Sequence, residues 1–246
     1  MSSLLYLHNQ YQRQAAWTKA LRLFLYRKVH LTRKKNILEL GCGSGVILSE
    51  ISDRTDARLC GIDADPQMTA LAKAQYPGIE FRTARAEKLP FPENSFDLIV
   101  THYFWLWQKD PKAVLAEARR VLKKSGHLAS LCEPDYVGRS DEPEELEGIK
   151  ELMLEALAKQ GADPGLAGKL EDLMAQAGFR TEAGRQEGCR GWREYRKQFD
   201  REWEFIGHLC GSGKRLEALK QKDLQAVAEQ KRRMCMPVRW VIGVKK

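Results

Sequence analysis

Between Asn36 and Gly45 the chain reads Asn-Ile-Leu-Glu-Leu-Gly-Cys-Gly-Ser-Gly: an apolar run with one acid, Glu39, stops at three alternating glycines. Gly41, Gly43 and Gly45 lack a Cβ, so the backbone can turn sharply and approach a ligand closely before a helix starts near Val46. A strand that feeds such a turn is the local geometry of a nucleoside site. The next apolar run, 57–62, is closed by Asp63, 24 residues beyond Glu39. A carboxylate at the end of that strand can accept both hydroxyl protons of a ribose. Two acids around one loop repel a phosphate and favour a cation.

Other residues able to do chemistry follow the fourth apolar run, 95–100. Thr101-His102-Tyr103-Phe104-Trp105-Leu106-Trp107 is dense in aromatic rings, which attract a cation and keep water out. His102 has an unperturbed pKa near neutrality and is a candidate general base, with Tyr103 beside it; hydrogen-bonded structure is the alternative for a lone histidine. A fifth run ends Leu131-Cys132-Glu133-Pro134-Asp135-Tyr136, where proline breaks the strand and offers two carboxylates and a phenol at the same edge. Glu133, Asp135 and Tyr136 read either as substrate contacts or as loop caps.

A dinucleotide fingerprint wants glycine or alanine where this chain has Val46. With Glu39 two residues before the first of the alternating glycines, and Asp63 after the second strand, the pattern instead resembles the class I S-adenosylmethionine-dependent methyltransferases of the small-molecule type 11/25 kind. The resemblance runs strongly over 37–132. It implies S-adenosyl-L-methionine as cofactor and S-adenosyl-L-homocysteine as product, an adenosyl amino acid whose sulfonium and ammonium suit the two acids. It also implies direct in-line methyl transfer to oxygen, nitrogen or carbon.

The candidate cofactor-binding residues are Tyr11, Gln14, Trp17, Glu39, Gly41, Cys42, Gly43, Asp63, Ala64, Met68, Ala86, Glu87 and Thr101. The first three sit in a segment suited to an N-terminal helix lying over the cofactor, as in many related enzymes; a helix simply docked by its aromatic side is the alternative. Where relatives usually carry an aspartate for the adenine amino group, this chain has Arg85. Candidate substrate contacts are Trp105, Trp107, Asp135, Tyr136 and Trp203, and no metal ligand set is visible.

The elements that must position these residues alternate strand and helix. They predict an α/β, Rossmann-like, doubly wound sheet of seven mostly parallel strands with an antiparallel last strand, plus helical cap segments. The expected organisation is an N-terminal helical cap (1–36), a cofactor-binding core (37–136), a helical cap insertion (137–170) and the remainder of the core (171–246) with a lid at about 192–232. The sixth strand is expected near Phe179 and the seventh over 238–244, with a long acidic helix from Glu142 to Lys159 and a helical stretch from Trp192 to Cys210.

The net charge of +8 lies at the ends: +8 over 1–36, −2 over 37–136, −6 over 137–182 and +8 over 183–246. Such ends suit a nucleic acid or an acidic partner, although lysine- and arginine-rich helices are more often solvated faces. The Asn/Asp-Pro-Pro-aromatic tetrapeptide of amino-directed base methyltransferases is absent after the fourth run, which favours a small-molecule acceptor. A non-catalytic binding module is a further alternative. The six cysteines, with no paired metal-type spacing, read as reduced residues of a cytoplasmic protein, and no apolar stretch has membrane-spanning length.

Overall fold

The computed structural model describes residues 3–246, which fall into two compact units. The first comprises the chain up to Glu133 with Lys169–Gly184 and Trp240–Lys246; the second comprises Pro134–Gly168 and Arg185–Arg239.

The first unit is built on a seven-stranded sheet. Strands β1 (Asn36–Leu40), β2 (Arg58–Asp63), β3 (Glu80–Thr83), β4 (Phe96–His102), β5 (Leu122–Pro134), β7 (Phe179–Gln186) and β10 (Val238–Lys245) lie in the order β3-β2-β1-β4-β5-β10-β7. Six strands are parallel and the last in sequence, β10, is antiparallel, as predicted. The centre of the sheet is covered on both faces, which is why β1 is apolar at nearly every position: Ile37, Leu38 and Leu40 have no exposed surface. Strand order reverses between β1 and β4, and ligands of open α/β sheets bind beyond the strand ends at such a switch.

Helix α1 (Ser3–Lys28) precedes the sheet, and α2 (Val46–Ser52) begins straight after the glycine turn. Helix α3 (Pro66–Gln75) has Pro66 in its first turn, where a missing N–H costs nothing, and Asp65 as its cap, accepting from Gln67 N–H at 2.8 Å. Helix α4 (Pro111–Val121) starts the same way on Asp110. It ends at Val121, ahead of the turn-favouring Gly126, and β5 starts at once. Strand pairing of Leu122 with Phe96 outcompetes the turn signal of the glycine.

A second sheet, in the other unit, was not foreseen: β6 (Ser140–Glu142), β9 (Arg233–Cys235) and β8 (Cys189–Gly191), in that order and antiparallel. Strand β6 and a short turn at Glu144–Leu146 occupy the start of the expected acidic helix, so α5 runs only over Gly148–Lys159. Helix α6 (Leu166–Gln176) leads back to the large sheet; α7 (Trp192–Arg196), α8 (Phe199–Cys210) and α9 (Lys214–Ala228) follow β8.

Unit two is held by a buried charge network. Asp141 accepts from Arg139 Nε (2.8 Å) and Arg232 Nη2 (2.6 Å), and Asp223 Oδ2 accepts from Tyr195 Oη and Trp203 Nε1. Three-residue strands cannot supply such partners to one another locally, so no periodicity in the sequence announces them. The expectation of six reduced cysteines is corrected: Cys189 and Cys235 are bonded, because they are direct register partners on β8 and β9. Their separation of 46 residues hides that pairing from the sequence. Cys42, Cys60, Cys132 and Cys210 are free thiols.

Candidate active site

Three left-handed glycines make the turn after β1, at φ of +67° (Gly41), +49° (Gly43) and +84° (Gly45). Side chains rarely adopt this region, and there is no space for one: a Cβ on Gly43 would lie 2.8 Å from Tyr11 Cε2, and one on Gly41 would collide with the Phe104 ring. Helix α1 therefore lays Tyr11 directly on the turn. His8 Nδ1 and Ser44 Oγ share a buried hydrogen bond of 2.8 Å, which fastens the same helix to the same turn.

Asp63, at the end of β2, faces the turn from the neighbouring strand. Its Oδ2 accepts from Gly43 N–H (2.8 Å) and its Oδ1 from Asp65 N–H (2.9 Å). Burial raises its carboxyl above the ordinary range, against the lowering effect of those two bonds. The two carboxylate oxygens offer about four acceptor positions, more than the backbone donors of Gly43, Ala64 and Asp65 fill, and so keep a lone pair for a ribose. Burial, helped by Asp63 and Asp65, pushes the Tyr11 phenol up to about 12, so it stays a neutral donor.

Glu39 is almost fully buried, and its Oε2 is without a hydrogen-bond partner. Burial, and then the Asp63 charge, raise its carboxyl well above the usual value. A buried acid oxygen left unmatched beside a second acid marks a place built to receive a cation or a donor. The Cys42 thiol is likewise pushed up by burial, Glu39 and Asp63, which makes it a packing residue of the turn rather than a reactive thiolate. Met68 is buried on α3 and Ala64 is exposed at its entrance. Ala86 is buried; Glu87 accepts from Arg85 Nη2 at 2.6 Å, and that guanidinium is largely in solvent. The residue that departs from the family pattern thus points outward and is paired.

The loop after β4 is set by strand irregularity. The β4–β5 register shifts between Thr101 and His102, and Tyr103 lies at φ +55°, a conformation costly for a bulky residue. Glu133 holds the bend: Oε1 accepts from Phe104 N–H (2.9 Å) and Oε2 from Trp105 N–H (3.2 Å). Burial pushes its carboxyl up to about 8, with the backbone donors working against that rise. Glu133 is therefore a loop anchor, not a substrate contact.

Trp105 is fully enclosed, and its indole N–H donates to Thr101 Oγ1 at 3.0 Å; it packs behind the loop, while Trp107 stands exposed. Trp17 is also partly in solvent. His102 lies against Tyr103 with ring centroids 4.8 Å apart, and its Nε2 meets Thr18 Oγ1 at 3.0 Å. Burial, and then the Arg22 charge, hold its pKa well below 6.5, so the imidazole is neutral at pH 7.

Thus Tyr11, Glu39, Gly41, Cys42, Gly43 and Asp63 converge on one turn, and Thr101, His102 and Tyr103 on the neighbouring strand end. Asp135, Tyr136 and Trp203 belong to the second unit. There Asp135 caps a turn at Gly138 (2.9 Å) and pairs with Arg239 (2.8 Å), Tyr136 is buried, and Trp203 is held by Asp223 at 2.6 Å. Sequence reasoning missed Thr18 and Arg22. Their spacing to Gln14, four and eight residues on, puts all three on one helix face and was the available signal.

The residues fit the expected cofactor: a buried acid with one unmatched oxygen, a turn with room only for backbone, and a carboxylate with free lone pairs. Residues 38–130 match the family model of a methyltransferase domain. The chain is 32% identical over 108 residues to a demethylmenaquinone methyltransferase of Chlorobaculum parvum, a match that spans 44% of either protein. It is 26% identical over 226 residues to an uncharacterised methyltransferase of Schizosaccharomyces pombe, covering 85% of this chain and 80% of that one. In fold it resembles an S-adenosylmethionine-dependent methyltransferase of Thermotoga maritima, with a TM-score of 0.60 and 19% identity over the full length of both. Turn, acids, strand order and relatives agree, and the chain carries a class I S-adenosylmethionine-dependent methyltransferase domain.

Proposed function

We propose that the protein transfers the methyl group of S-adenosylmethionine to a small molecule, at an oxygen, nitrogen or carbon atom, by direct in-line displacement. The observation that carries this reading is Glu39, a buried acid with an unmatched oxygen behind the Gly41–Gly43 turn, with Asp63 across from it. The cofactor supplies an electrophilic methyl carbon on a sulfonium whose departure leaves a neutral thioether. Glu39 and Asp63 favour its positive charges, Asp63 accepts from its ribose, and Tyr11 covers the turn. Ala86 and Glu87 border the adenine.

His102, neutral at pH 7, takes the acceptor's proton, and the bent aromatic loop at 103–107 excludes water from the transfer line. The demethylmenaquinone methyltransferase bears, by name, a small-molecule acceptor, which supports that class here. Among the described residues no helix is long and apolar enough to cross a membrane. A cytoplasmic location belongs to the proposal.

Calorimetric titration with S-adenosylmethionine and S-adenosylhomocysteine, with a nicotinamide dinucleotide as control, tests the cofactor site. A screen of small acceptors with radiolabelled methyl groups tests the reaction. Micromolar binding of the adenosyl pair alone, followed by labelled product, is expected; absence of binding overturns the reading. A second reading, an RNA or protein acceptor, is favoured by the exposed Arg193 and Arg196 on α7, Lys197 just after it and Arg201 on α8. It predicts polyanion binding that falls steeply with salt.

A further inference from the structure

Behind His102 lies a chain of side chains that the cofactor site does not use. Arg22, on α1, has no exposed surface, and its Nε and Nη2 donate to the two carboxylate oxygens of Glu50 on α2 at 3.0 and 2.6 Å. Its Nη1 donates to Thr18 Oγ1. Thr18, itself buried, donates its single hydroxyl proton to the Gln14 carbonyl at 2.8 Å. Having spent its proton there, Thr18 Oγ1 can only accept from its other neighbours, the Cys132 thiol, a weak donor, and His102 Nε2, 3.0 Å away. A nitrogen that donates carries the hydrogen, and in a neutral imidazole the other nitrogen then holds the lone pair.

We infer that Thr18 is a positioning residue which locks His102 as its Nε2–H tautomer and so makes Nδ1 the atom that accepts the methyl acceptor's proton. The inference rests on the proposed role of His102 as general base. The proton balance is simple: the O–H, N–H or C–H bond of the acceptor breaks, its electron pair stays with the nucleophile, and the proton bonds to Nδ1, giving an imidazolium that later returns it to water. Arg22 and Glu50 enter as a buried ion pair that aims one further N–H at Thr18. Without Arg22, the Thr18 hydroxyl could turn and donate to Nε2, which would invert the tautomer. The groups around His102 are Thr18 and Arg22 from α1, Tyr103 from its own loop, and Cys132, paired with it in register on β5.

The test is long-range 1H–15N correlation of the imidazoles in 15N-labelled full-length protein, with and without S-adenosylhomocysteine. The chain has five histidines, and the signals missing from His102→Asn assign the one of interest. Wild type should show an Nε2-protonated, Nδ1-unprotonated ring. Thr18→Val should lose that single tautomer, and Thr18→Ser, which keeps the hydroxyl, should restore it and controls for folding. With an acceptor from the labelled-methyl screen, Thr18→Val should lower kcat by about tenfold or more while the KM for S-adenosylmethionine holds. An Nδ1-protonated ring in wild type, or an unchanged tautomer in Thr18→Val, overturns the inference. The expected tautomer together with full turnover in His102→Asn instead removes the base role, and with it the assignment of Nδ1 as proton acceptor.

Discussion

Removal of the Asp63 carboxylate separates what the residue does for the turn from what it does for the cofactor. In the structure it accepts from Gly43 N–H, which is buried, and from Asp65 N–H, which water can reach. Hydrogen bonds to a charged group contribute about 1.5–3 kcal/mol each, but only the Gly43 bond leaves a donor stranded. Loss of the carboxylate also relieves its own desolvation, so Asp63→Ala should cost about 1–2 kcal/mol of stability. Loss of a charged acceptor for the ribose should weaken S-adenosylhomocysteine by a further 1.5–3 kcal/mol or so, about tenfold to a hundredfold in Kd. Asp63→Asn is the informative partner: its carbonyl can still receive Gly43 N–H, so most stability returns, while the neutral acceptor leaves binding weak. Urea unfolding and isothermal titration of wild type and both variants read the two quantities independently. Wild-type affinity in Asp63→Ala would refute the assigned role. Parallel loss of stability and affinity in Asp63→Asn would refute the division between turn and ligand.

Gly43→Ala should cost about 1–2 kcal/mol from its left-handed φ and more from the Tyr11 ring 2.8 Å from the new Cβ. In the double variant with Tyr11→Leu the steric part should vanish, so a strictly additive cycle in urea unfolding would contradict the contact. His102 has a folded pKa held below 6.5, so below about pH 6.5 the unfolded chain binds more protons there and stability is lost as the pH drops. His102→Asn should flatten that part of the pH–stability curve; an unchanged slope between pH 6.5 and 5 would show that the imidazole is not desolvated. The same shift places the acid limb of the rate profile below 6.5. Closing the 46-residue span between Cys189 and Cys235 should be worth about 4 kcal/mol in the chain-entropy picture. Thermal melts with and without dithiothreitol, against Cys189→Ser, check this, and identical melts would show that the bridge contributes nothing.

By itself the sequence determined the cofactor-binding half of the protein. Glycines at alternating positions, an acid two residues ahead of them and another ending the next strand are local requirements of one turn, written into contiguous residues. The strand–helix alternation that builds the sheet is equally local, since the apolar runs of β1, β2 and β4 are the largely buried central strands. What only the tertiary structure decided depends on partners far apart in the chain. Glu133 at the end of β5 is a loop anchor because Phe104 and Trp105 turn their N–H groups to it. His102 acquires its low pKa from burial and from Arg22, and its hydrogen-bond neighbour from Thr18, both of them 80 or more residues earlier. The small sheet joins strands of three residues each, too short for any periodicity to show, and pairs Cys189 with Cys235 by register alone. The orientation of Trp105, which looked like a substrate wall beside Trp107, is likewise set by a bond to Thr101 that spacing does not reveal. Turn chemistry is encoded by neighbours along the chain, whereas protonation, tautomer and burial are set by neighbours in space.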